Sequence, residues 1–101
     1  MDYELIWTNR ASADLEDIVK YYKIEKGSEA VALKVGGAII DRVEILRAFP
    51  DIGPQYPRYV GPHREIFCYT YRIFYRVDKA ESKVFIARVW HGRMDLSALQ
   101  L

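Results

Sequence analysis

The sequence predicts an α+β fold in the order β-α-α-β-β-β, with two antiparallel helices packed on one face of a small antiparallel sheet. Three observations carry that prediction. Apolar residues recur at helical spacing through the first half of the chain, and the period switches to two from residue 64. Between these stretches, the segment 51–62 holds three of the four prolines, a density that no regular element survives. With 101 residues and one cysteine, Cys68, the chain is expected to be a single domain, 1–101, held together by packing rather than by disulfides.

Tyr3, Leu5 and Trp7 alternate, so a short opening strand shows them on one face. Thr8 is a suitable N-cap, because its hydroxyl can take one of the unpaired first-turn N–H groups. Ala11, Leu15, Ile18, Val19 and Tyr22 then form the stripe of a first helix. Lys26-Gly27 ends it, with Gly27 suited to a left-handed C′ position. Ser28 caps a second helix with the stripe Val31, Ala32, Val35, Ala38, Ile39, Val43 and Leu46, ending near Ala48 before Pro50. Gly36-Gly37 inside this helix costs about 1 kcal/mol per glycine relative to alanine. The pair predicts a close approach of the backbone to a neighbour, with a kink as the alternative.

Residues 64–67 read as a strand, 68–70 as a turn, 71–77 as a β-branched and aromatic strand, 78–82 as a longer turn, and 83–90 as the last strand of an antiparallel meander. Tyr71, Ile73, Tyr75 and Val77 share the face expected under the helices, leaving Arg72, Phe74 and Arg76 on the open face. In the last strand Phe85, Ala87 and Val89 are the expected core set. Arg88 would then point outward beside Arg72 or Arg76.

Composition excludes several classes. There are 6 glycines and 4 prolines, too few for a disordered or collagen-like chain. No Cys/His set has zinc spacing, so no metal is expected. No uncharged apolar run approaches the roughly 18 residues of a membrane span. The start, Met1-Asp2-Tyr3-Glu4, lacks the basic and apolar regions of a signal peptide, which predicts a cytoplasmic location. The net charge of +1 is divided unevenly, with nine acids against seven bases in residues 1–50 and five against eight in 51–101.

An arginine-bearing sheet face suits phosphate or carboxylate contact. It equally suits charges that keep a sheet from aggregating. His91, at a strand end near Arg93, could serve as general acid or base beside a phosphate-binding guanidinium, or simply end the strand. His63, between Pro62 and Arg64, is expected in a loop.

The opening Trp7-Thr8 with Ala11, Asp14-Leu15, Ile18 and Tyr21-Tyr22 resembles the start of the RelE/ParE toxin superfamily. So do Arg64-Glu65-Ile66, the strand Tyr71-Arg72-Ile73-Phe74-Tyr75-Arg76-Val77, Val84-Phe85-Ile86 and the tail Val89-Trp90-His91-Gly92-Arg93-Met94-Asp95. The resemblance spans nearly the whole chain and implies the same two-helix, antiparallel-sheet fold. It implies the toxin of a bacterial type II toxin–antitoxin system, of the kind described as plasmid stabilisation proteins, neutralised by a cognate antitoxin in a hetero-oligomer. The superfamily divides by target. ParE-like members bind and block DNA gyrase, whereas RelE-like members cut mRNA at the ribosome. The His-Gly-Arg-x-Asp tail is closer to the ParE branch, and Met94 stands where a second arginine is usual.

The resemblance therefore implies a growth-inhibiting, non-enzymatic gyrase binder that contacts its target through Arg64, Arg72, Arg88, His91 and Arg93. The alternative is a ribonuclease with Arg72, His91 and Arg93 as its catalytic residues, using the RNA 2′-hydroxyl as nucleophile with no metal or cofactor. A degenerate toxin that binds antitoxin alone is the third possibility.

Overall fold

The computed structural model of the chain describes residues 2–55, 62–92, 98, 99 and 101. Strand β1 (Glu4–Trp7) leads into helix α1 (Asn9–Lys20), which loosens into a π-helical turn over Tyr21–Glu25. Helix α2 (Glu29–Glu44) follows and tightens into a 3-10 turn over Ile45–Arg47. Strands β2 (His63–Cys68), β3 (Tyr71–Asp78) and β4 (Lys83–His91) complete the order. No helix among the described residues is long and apolar enough to cross a membrane.

The predicted caps are present. The Thr8 hydroxyl accepts the Ala11 N–H at 3.2 Å, and that of Ser28 accepts the Val31 N–H at 3.1 Å. Gly27 adopts φ +64°, the left-handed conformation that lets the chain leave one helix and enter the next. The glycine pair divides. A Cβ on Gly36 would lie 3.0 Å from the Val19 side chain, so α1 and α2 do approach closely there. A Cβ on Gly37 would meet nothing within 4 Å, and Gly37 is exposed. Two members of the predicted α2 stripe also sit off its buried line: Val31 is 41% exposed and Ala38 half-buried.

The strands form a four-stranded sheet in the order β1-β4-β3-β2. β2, β3 and β4 are the expected antiparallel meander, while β1 pairs with β4 in parallel, so the sheet as a whole is mixed. Both helices cover one face. Between the layers lie Ile39, Val43, Leu46, Ile73, Tyr75, Val84 and Ile86, all with no exposed surface.

The last strand departs from simple alternation. Tyr75 faces Ile86 but Phe74 faces Arg88, so Ala87 is one residue too many: a β-bulge. The bulge lets Val84 and Ile86 before it, and Val89 after it, all face the helices. Of the predicted core set Phe85, Ala87 and Val89, only Val89 is buried there. His63 also differs from expectation, because it opens β2 opposite Arg76 rather than lying in a loop.

Candidate functional site

The face of the sheet away from the helices carries Arg72 and Arg76, as strand alternation requires. Each lies over an aromatic ring. Arg76 sits 4.0 Å above the centroid of Phe85, and Arg72 5.5 Å from that of Phe67. Arg72 also pairs with Glu65 at 3.6 Å, on side chains 27% and 13% exposed. The middle of this face is not bare. Phe74, fully buried, lies under Leu99, with Ala87, Trp90 and Leu101 around them. His63 sits at the other end, across from Arg76, and burial followed by repulsion from that guanidinium pushes its imidazole below the usual value.

The second candidate region lies on the helix side. A cleft of about 550 Å³ opens between α1 and the end of β4, lined by Asp14, Asp17, Ile18, Tyr21, Tyr22, Tyr71, Arg88, Val89, Trp90 and His91. His91 lies against Tyr71 edge to face, ring centroids 5.3 Å apart, and within 3.3 Å of the Thr70 hydroxyl. The Tyr71 hydroxyl donates to that of Tyr22 at 3.3 Å. Burial, then this hydrogen bond, holds the Tyr71 phenol well above its ordinary value, so it stays neutral.

Of the five residues expected to form one contact surface, the four that are described are divided between the two faces of the sheet. Arg72 is on the open face. His91, opposite Tyr71, is on the helix side. Arg64 braces the loop before β2, donating to the Gly53 carbonyl at 2.7 Å and pairing with Asp51 at 3.6 Å. The register sets Arg88 opposite Phe74, on the face of Arg72 and Arg76 as expected, but its guanidinium turns to the edge of the sheet. β1 stops at Trp7, so the far half of β4 has an uncovered edge where α1 begins, and the Arg88 guanidinium reaches that edge. Asp14 of α1 takes the Arg88 Nε–H at 2.8 Å, a second guanidinium N–H at 3.0 Å, and the Val89 backbone N–H at 2.9 Å. Arg93, with Met94 and Asp95, lies outside the described residues.

Sequence reasoning passed over Asp14 as an anchor and Tyr21, Tyr22 and Tyr71 as a cleft wall. A signal for Asp14 existed: it is an acid on the flank of the Ala11, Leu15, Ile18 stripe, where a carboxylate must find a partner to be half-buried.

A profile of the ParE toxin of type II toxin–antitoxin systems matches residues 5–96, almost the whole domain just described. The chain belongs to this toxin family. Solved structures agree with that placement. The toxin resembles a chain of a chromosomal ParDE system from P. aeruginosa, with 26% identity over 88% of this chain and 95% of that one, at a TM-score of 0.74. It shares the fold of a chain from the RelBE2 toxin–antitoxin complex of Mycobacterium tuberculosis, at 22% identity, 90% and 99% coverage and a TM-score of 0.70. It shares it also with a mutant of the E. coli toxin RelE in the free state, at 20% identity, 92% and 86% coverage and a TM-score of 0.65. No protein of curated function matches the chain significantly by sequence.

Proposed function

We propose that this toxin arrests growth by binding DNA gyrase in the cytoplasm, without cleaving RNA, until a cognate antitoxin covers it. One observation carries the reading: Arg72 and His91 project from opposite faces of the sheet. A nuclease needs its acid or base within hydrogen-bond reach of the phosphate that its arginine holds. The ParE-family match and the near-neutral charge support the same side, since RNA attraction rests on neutralising phosphates. On this reading Arg72, His91 and Arg93 contact gyrase directly, while Arg64 and Arg88 hold the elements that carry them. The cleft beside His91, open and walled by Tyr21, Tyr22, Tyr71 and Trp90, is the antitoxin's seat on this reading, because its aromatic wall suits a protein partner.

A second reading draws on the open face, where Arg72 and Arg76 interleave with Phe67 and Phe85 as in single-strand RNA platforms. Induced expression without antitoxin separates the two. Thymidine incorporation falling before amino-acid incorporation, followed by lost supercoiling activity of gyrase with purified toxin, is the expected result. Translation collapsing first would replace the gyrase reading with mRNA cleavage. No change in either would mark a toxin that has lost its target.

A further inference from the structure

α2 shows a second, outward face that the core does not use. Its centre is Gly37, exposed and with open space where a side chain would stand. Leu33, 68% exposed, and Ile40, 44% exposed, lie one turn to either side of it. Lys34 and Asp41 lie beside them, both exposed, and neither has a hydrogen-bond or ion-pair partner among the described residues. At about 100° of rotation per residue, Leu33 and Ile40 fall on one flank of Gly37, and Lys34 and Asp41 on the other.

That arrangement is self-complementary. We propose that this face pairs with the same face of a second copy of the chain, the two α2 helices antiparallel about a twofold axis at Gly37. The axis reverses direction along the helix but keeps each flank on its own side. Leu33 therefore meets Ile40 of the second copy on one flank, and Lys34 meets the second copy's Asp41 on the other. Gly37 faces its own equivalent, where a missing side chain lets the two backbones come together. This gives the exposed glycine the reason that the fold itself does not supply. The pairing is independent of whether the target is gyrase or RNA. A contact one helix wide falls at or below the ~1,200 Å² of the smaller stable interfaces, so the association is weak and concentration-dependent.

Sedimentation equilibrium of the full toxin, made by cell-free synthesis, tests this directly. The expected result is a reversible monomer–dimer equilibrium. Lys34→Asp alone and Asp41→Lys alone each set like charges face to face and weaken dimerisation about tenfold or more. The double swap restores opposite charges and recovers the dimer. Circular dichroism of each variant keeps a folding defect from being read as lost pairing. A toxin that stays monomeric at all concentrations overturns the proposal, as does a dimer indifferent to either single swap. Single swaps that lower antitoxin affinity while the toxin alone remains monomeric would assign the face to the antitoxin instead.

Discussion

Asp14 accepts three hydrogen bonds at the one stretch of β4 edge that β1 leaves open, and both it and Arg88 are 16% exposed there. The Arg88 charge is held in place by this contact, which also favours its protonated form. Asp14→Ala would take the carboxylate from a mostly buried guanidinium and leave the Val89 backbone N–H unpaired, a loss of about 2–4 kcal/mol. Urea unfolding of the purified variant measures it, and a loss below about 0.5 kcal/mol would show that water replaces the carboxylate without penalty. His63 makes the other prediction at this scale. Its folded-state pKa is lowered, so as pH falls below ~6.5 the unfolded chain takes up a proton that the folded chain refuses. Stability contributed by neutral His63 is intact above that pH and lost progressively below it, down to the folded-state pKa. Thermal melts from pH 7.5 to 5.5 should show a smaller decline for His63→Gln than for the native chain.

Among the elements, α2 tests how a helix tolerates two adjacent glycines with unlike surroundings. Gly37→Ala adds a methyl to open space and removes the entropic penalty of glycine, so monomer stability should rise by about 0.5–1 kcal/mol, or a few degrees in Tm. Gly36→Val drives a branched side chain into Val19, already 3.0 Å from the nearest point a Cβ would occupy, and should lower stability by about 1–3 kcal/mol. Differential scanning calorimetry at low protein concentration compares the two, and equal effects would contradict the packing described. Both helices and their caps were legible in the sequence because the information is local: a 3.6-residue stripe, a hydroxyl before it, and after it a glycine for the first helix and a proline for the second. The bulge in β4 was not. An extra residue changes the face of everything beyond it, and nothing in 84–91 marks Ala87 as that residue until β3 lies alongside.

Across the whole molecule, the residues near the chain's end pack back onto the centre of the open sheet face. Leu99, 3% exposed, covers Phe74, which has no exposed surface. Leu99→Ala should cost about 2–4 kcal/mol, the range for a truncated core leucine. Denaturant unfolding checks this, and an unchanged midpoint would mean that Phe74 is covered by other groups. The same packing bears on function, since any partner of Arg72 and Arg76 must work around Leu99 and Leu101. The amino-acid sequence by itself determined the element order, the caps, the placement of Arg72 and Arg76 on the open face and the membership of a toxin family, because periodicity and motif spacing are properties of neighbours along the chain. Only the tertiary structure decided that Arg88 belongs to Asp14 and that Arg64 braces a loop. These depend on where one strand stops, where another bulges and which helix lies beside the gap, contacts between residues up to 79 positions apart in the chain.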